Sequence, residues 1–175
     1  MTIELGVALG VDAESFGQPG ERTFRLRILG ASRQWASLWM EKEQLQALSL
    51  ALSQMLAQLR QAEQPGAGLD DFPDTAEHDI HVGRMEIGFD PSDRTIVLNL
   101  FGLGVDDDES SPDLRVRFRQ EQCATLSVRL KEIIAAGRPL CPLCGAPLTP
   151  AGHACIRANG HISQPIPEHG EEEEP

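Results

Sequence analysis

Three of the four cysteines lie together near the C-terminal end of the 175-residue chain, at a spacing typical of metal sites. Cys141 and Cys144 are separated by two residues, so their thiolates can bind one tetrahedral ion with each sulfur about 2.3 Å from it. Cys155 is the obvious third ligand, and two histidines flank it. We therefore predict one Zn²⁺ ion within residues 141–161.

The fourth ligand is either His153 or His161. His153 and Cys155 are two positions apart, so an extended segment would project both side chains to one side, which favours His153. His161 follows an Asn-Gly turn that could bring it back to the metal. Four protein ligands leave no open position, which is typical of a structural site. If one position were instead left to water, the site could be catalytic.

Two helices are the clearest elements in the rest of the chain. Apolar residues at three- and four-residue spacings predict helices over residues 42–60 and 120–136, and Gly137 followed by Pro139 ends the second. Alternating runs predict strands over 3–9, 23–29 and 34–40 before the first helix, and over 80–89, 95–101 and 114–119 before the second. Cys123 falls within the second helix, where we expect a buried, unreactive thiol.

The two halves align with each other. Glu43 falls on Glu121 at an offset of 78 residues, and Arg22 falls on Arg94 at an offset of 72. The alternative to a repeat is that the two halves are unrelated, since any two amphipathic helices align at a few leucines. The alignment favours an α+β fold with two β-β-β-α repeats, which form an antiparallel sheet or a partly closed barrel with two covering helices, followed by a C-terminal zinc-ribbon-like module.

These patterns predict the organisation of the whole chain. Residues 1–137 form the duplicated α+β domain, residues 138–162 form the zinc-binding module, and residues 163–175 form an acidic disordered tail. Within the domain, repeat one covers 1–62, a linker covers 63–78 and repeat two covers 79–137.

The composition of the chain limits the classes of partner and the cellular compartments that we expect for it. Fifteen basic and 27 acidic residues give a net charge of −12, and aromatic residues make up only 5%, so we expect no nucleic-acid partner. No apolar run approaches the roughly 18 residues of a membrane span, and the first residues lack the features of a signal peptide. Clustered cysteines that suit a metal rather than disulfides favour a reducing compartment, and we expect the cytoplasm.

Residues 16–24 and the helix start at 41–45 resemble an uncharacterised bacterial family, domain of unknown function 3090. So do residues 141–145, 152–155 and 157–160, and the resemblance spans residues 14–161. It implies a small zinc-bearing protein without an established activity, and a protein partner that is phosphatase-like or kinase-like. The Gly-His-x-Cys element of the family also implies His153 as the fourth ligand.

Two functions remain in competition. The sequence lacks a glycine-rich phosphate loop and a Ser-His-Asp or Cys-His arrangement, which favours a non-catalytic zinc-binding protein that acts as a binding or adaptor subunit. The alternative is an enzyme that acts on a small anionic metabolite, phosphorylated or carboxylated, bound between the repeats. Arg22 and Arg94 would hold the anion, and Glu43 and Glu121 would serve as acid–base groups. This alternative requires the four side chains to converge on one pocket.

Overall fold

The computed structural model describes residues 1–18, 21–63, 72–73, 75–104, 111–136, 141–144, 155 and 157. The whole of the predicted tail and much of the predicted linker lie outside these residues. The chain divides into two units, Met1–Gly137 and Arg138–Pro175. The described elements are, in order, β1 Ile3–Val7, β2 Gly10–Phe16, β3 Thr23–Leu29, β4 Trp35–Met40, α1 Lys42–Gln58, β5 His78–Asp90, β6 Thr95–Gly102, β7 Leu114–Phe118 and α2 Gln120–Ala136.

The strands form one mixed sheet of seven, in the order β1-β7-β6-β5-β4-β3-β2. Four neighbouring pairs are antiparallel, whereas β1–β7 and β4–β5 are parallel. The expectation of a purely antiparallel sheet is therefore wrong for two pairs. Between β4 and β5 the reason is the connection itself, because a crossover through α1 returns the chain to the same end of the sheet before the next strand begins.

The two strands at the ends of this order, β1 and β2, are consecutive in the chain and are separated by only Ala8 and Leu9. The Ala8 N–H donates to the Arg117 carbonyl in β7 (2.8 Å), and the Leu9 N–H donates to the Leu29 carbonyl in β3 (2.8 Å). Gly6 adopts a φ of 68° at an irregularity of the β1 pairing, which bends the chain between its two partners. The two ends of the sheet order are thus brought together.

Strand β2 is not among the predicted strands, since the predictions pass from the strand over 3–9 directly to the strand over 23–29. Its inward side chains are small, Val11 and Ala13, and its outward ones are acidic, Asp12 and Glu14. A seven-residue strand of this composition has a weak apolar alternation. The pattern of these residues is therefore too weak to predict β2.

One face of the sheet and the two helices enclose the core. In β3, the buried residues Phe24, Leu26 and Ile28 alternate with Arg25 and Arg27 on the other face. The helices add leucines at helical spacing, and each fully buried side chain contributes about 1.5–3 kcal/mol relative to exposure. The buried leucines of the helices are Leu45, Leu48, Leu52, Leu56, Leu126 and Leu130.

A glutamine near the start of each helix ties that helix to the backbone of the sheet or of the segment between β1 and β2. Gln44 accepts a hydrogen bond from the backbone N–H three residues earlier (2.9 Å) and donates to the Val82 carbonyl in β5 (2.7 Å). Gln122 likewise accepts from the N–H three residues earlier (2.9 Å) and donates to the Ala8 carbonyl (2.7 Å). Each glutamine therefore caps its helix and fixes the helix start against the sheet.

A polar cluster joins α1 and α2. The fully buried Ser127 hydroxyl donates to the Glu63 carboxylate (3.0 Å) and lies 3.2 Å from the Ser53 hydroxyl. Lys131 pairs with the same carboxylate, and its hydrogen bond holds the pKa of Glu63 below its usual value. The cluster fastens the segment after α1 to α2.

No described helix is long and apolar enough to cross a membrane.

Candidate metal centre and ligand-binding residues

The sulfurs of Cys141, Cys144 and Cys155 lie within 4.8 Å of one another. Cys141 and Cys155 are buried, and their sulfurs are 3.8 Å apart. In a tetrahedral site with metal–sulfur bonds of about 2.3 Å, two sulfurs are separated by about 3.8 Å. The spacing between these two sulfurs is therefore already that of a tetrahedral thiolate site, and the three cysteines could hold a metal ion.

Backbone hydrogen bonds to the Cys141 sulfur favour its thiolate form. Residues 142–144 form a turn, and the N–H groups of Cys144 and Leu143 hydrogen-bond the Cys141 sulfur. These bonds hold the pKa of the Cys141 thiol below its usual value, and the thiolate is the form that binds metals. Arg157 donates to the Leu143 carbonyl (3.0 Å), which ties the segment after Cys155 to the same turn.

The two candidate histidine ligands, His153 and His161, lie outside the described residues. The choice between them therefore stays a prediction. The fourth cysteine, Cys123, is fully buried in α2 and takes no part in the cluster. Burial raises the pKa of its thiol to about 12, as expected for an unreactive core side chain.

The structure does not bring Arg22, Glu43, Arg94 and Glu121 into one cavity. Arg22 and Glu43 line one cavity of about 380 Å³, together with the starts of β3 and α1 and a residue of α2. Arg94 and Glu121 line another of about 490 Å³, with the starts of β6 and α2. The convergence that a single active site between the halves requires is therefore not found among the described residues.

The outer face of the sheet carries an aromatic row that the sequence patterns did not predict, formed by Phe16, Arg25, Trp39 and His81. The Trp39 ring centre lies 5.7 Å from that of Phe16 and 6.1 Å from that of His81, with the Trp39 and His81 planes only 17° apart. The Arg25 guanidinium lies 4.9 Å from the Phe16 ring centre and 5.2 Å from that of Trp39. The row could not be predicted from one segment, because its four members lie on four different strands and meet only through the pairing of those strands.

A family profile described as "Protein of unknown function (DUF3090)" matches residues 9–155. The chain belongs to this family. The DUF3090 match begins just before β2 and ends at Cys155, so it includes all three cysteines of the cluster. The family predicted from the residues is thus confirmed. No curated protein and no solved structure matches this DUF3090 chain at a significant level.

Proposed function

We propose that this DUF3090 chain is a non-catalytic zinc-binding protein whose metal is structural. The carrying observation is the cluster of Cys141, Cys144 and Cys155, with sulfurs at the separation of a thiolate site. Thiolates select soft or borderline ions, among which Zn²⁺ is the usual structural metal. His153 completes four-fold ligation in this proposal, with His161 as the alternative. Reduced thiolates at such a site suit the cytoplasm.

Metal analysis of the purified full-length protein tests the zinc proposal. We expect one zinc ion per chain, and we expect Cys141→Ser to lose it. His153→Ala and His161→Ala form a matched pair, of which only the variant at the true ligand should lose metal. Substitution with Co²⁺ should give the visible absorption of tetrahedral thiolate coordination. A wild-type protein without stoichiometric metal, or a Cys141→Ser variant that retains it, would overturn the proposal.

We propose further that residues 1–62 and 79–137 are two copies of one unit, joined by the linker 63–78 and arranged as a partly closed barrel with two covering helices. Repeated contacts support this. The glutamines at equivalent positions, Gln44 and Gln122, each donate to a backbone carbonyl of the other half. The parallel pairing of β4 with β5 recurs as that of β7 with β1. Residues 138–162 then form the zinc module and 163–175 an acidic tail.

The biological role that we propose is that of a binding or adaptor subunit for another protein. The aromatic row supports it, because Phe16 is 42% exposed, His81 is exposed, and aromatic and arginine side chains are enriched at protein interfaces. The four charged residues line two separate cavities among those of the described residues, which supports a binding role over the enzyme alternative. The family resemblance suggests a phosphatase-like or kinase-like partner.

Affinity purification from the native cell, with identification and quantitation of the bound protein, tests the adaptor role. We expect a stoichiometric partner that is lost on Trp39→Ala. The matched control is Leu50→Ala, since Leu50 is 60% exposed on α1 and lies outside the aromatic row. A partner retained equally by both variants would remove the row as the contact surface, and the absence of any stoichiometric partner would overturn the adaptor role.

A further inference from the structure

Ion pairs are distributed unevenly over the first unit. Most of its described basic side chains pair with a carboxylate; they are Arg25, Arg27, Arg84, Arg115, Arg117, Arg129 and Lys131. Among those that form no ion pair with a described residue, Arg33 and Arg60 line neither of the two cavities. The others are Arg22, Lys42, Arg94 and Arg119, and all four line the two cavities. The unpaired cations are thus concentrated at two places.

The first cavity contains free charges of both signs. Arg22 is half-buried, and its Nε is fully buried without a hydrogen-bond partner among the described residues. Lys42 and the exposed Glu43 line the same cavity, and neither pairs with a described residue. Ile134 of α2 forms an apolar part of the wall. A buried N–H group without an acceptor is energetically costly. The Arg22 guanidinium can therefore donate a hydrogen bond to a ligand, since no described residue accepts one from its Nε.

The second cavity repeats this composition. Arg94 and Thr95 stand where Arg22 and Thr23 stand in the first, and Glu121 stands in the place of Glu43. Arg119 contributes a second unpaired cation, as Lys42 does in the first cavity. Each cavity lies beside the start of one helix and also includes a residue at or after the end of the other helix, Ile134 or Gln61. The two cavities are therefore equivalent in position, and both contain an arginine, a threonine, a second cation and a glutamate.

A simple anion does not match either cavity, because carboxylates stand beside the cations. In the first, Glu21, Glu41 and Glu43 accompany Arg22 and Lys42, and these carboxylates would repel a ligand that carried only negative charge. A ligand with an anionic group and an ammonium group can pair with both signs. Cavities of about 380 and 490 Å³ accept a molecule of a few heavy atoms.

We propose that the two cavities are equivalent binding sites for a small zwitterionic metabolite. Arg22 or Arg94 binds its anionic group, a carboxylate or a phosphate, and Glu43 or Glu121 binds its ammonium group. The sites lie in Met1–Gly137 and are independent of the zinc and adaptor proposals. They concern binding alone.

Calorimetric titration of the full-length protein tests the proposal with two zwitterions, phosphoethanolamine and β-alanine, which distinguish a phosphate from a carboxylate. Inorganic phosphate and ethanolamine each carry only one of the two charges. We expect at least one zwitterion to bind with two sites per chain and about tenfold more tightly than either single-charge probe. Failure of both zwitterions to saturate the protein, or equal binding of inorganic phosphate, would overturn the proposal.

Substitutions then locate the sites. Arg22→Met and Arg94→Met should each reduce the stoichiometry from two to one, and the double variant should weaken binding at least about tenfold at both. The matched control is Arg33→Met, which removes an unpaired arginine outside the cavities. Glu43→Gln is the second variant if Arg22→Met unfolds, and it should abolish the preference for the zwitterion over the single-charge probe at one site. Unchanged binding in the folded double variant would overturn the assignment.

Discussion

At the level of single residues, hydrogen bonding and burial give Cys141 and Cys123 different thiol chemistries. Cys141 accepts two backbone N–H bonds that favour its thiolate, whereas Cys123 is enclosed in α2, where burial disfavours its thiolate. The spacing of Cys141, Cys144 and Cys155 was sufficient to predict their cluster, because a two-residue separation is a local constraint that needs no knowledge of the fold. The position of Cys123 on a helix with periodic leucines likewise predicted a buried thiol.

Cysteine alkylation distinguishes these environments. In native protein stripped of metal under reducing conditions, iodoacetamide should modify Cys141, Cys144 and Cys155 and leave Cys123 unmodified. With a pKa of about 12, the Cys123 thiolate fraction at pH 8 is about 10⁻⁴, and burial also blocks access. Mass spectrometry of the digested protein measures the modification at each site. Comparable rates at Cys123 and Cys141 in the folded protein would contradict this expectation, and denatured protein supplies the control for full labelling.

The pKa of Glu63 predicts a dependence of stability on pH. Because the bonds from Lys131 and Ser127 depress this pKa in the folded state, the ionised carboxylate stabilises the fold above the unfolded-state pKa of about 4.3. That contribution is lost as the pH falls through the lower, folded-state pKa. Glu63→Gln should therefore lower the free energy of unfolding at pH 7, and its difference from wild type should shrink in acid. Urea unfolding at pH 7 and near pH 3 measures this; a constant difference would contradict it.

At the level of elements, the helices were predicted better than the sheet. The second helix was predicted at residues 120–136 and is observed as Gln120–Ala136; the first was predicted two residues too long at its end. Helical periodicity is a local pattern, so one segment carries its own evidence. The parallel pairing of β1 with β7 depends on contacts more than 100 residues apart, and no local pattern encodes it. The separation of the Arg22–Glu43 pair from the Arg94–Glu121 pair likewise depends on long-range contacts, so the sequence did not predict it.

The link between Gln122 and Ala8 is an element-level contact with a measurable energy. Gln122→Ala removes the bond to the Ala8 carbonyl and the bond to the N–H before α2, so we expect a loss of about 1–2 kcal/mol in the free energy of unfolding. Gln54→Ala on α1 is the matched control, because Gln54 is exposed and forms no side-chain hydrogen bond with a described residue. Thermal unfolding of both variants measures the difference. Equal stability of the two would show that the glutamine does not secure the helix start.

At the scale of the whole molecule, the core and the cysteine cluster belong to different units. The buried core residues run from Leu5 to Ile133, all within Met1–Gly137, whereas the three clustered cysteines lie in Arg138–Pro175. A metal held by those cysteines therefore contributes no ligand bond to the core of the sheet. The stability of that core should follow from its own burial of apolar side chains.

Removal of the metal tests this separation, and the sequence supplies the probe. The only two tryptophans, Trp35 and Trp39, both lie in β4, so their fluorescence reports the unfolding of the sheet. A chromophoric metal indicator reports the removal of the metal by a chelator. Removal should leave unchanged the urea concentration at the midpoint of unfolding, as measured by tryptophan fluorescence. Leu38→Ala is the sensitivity control, because removing this fully buried side chain from β4 should cost about 2–5 kcal/mol and lower the midpoint clearly. A comparable fall on chelation would mean that metal binding and the sheet are coupled, and that a metal bound by the cysteines stabilises the first unit.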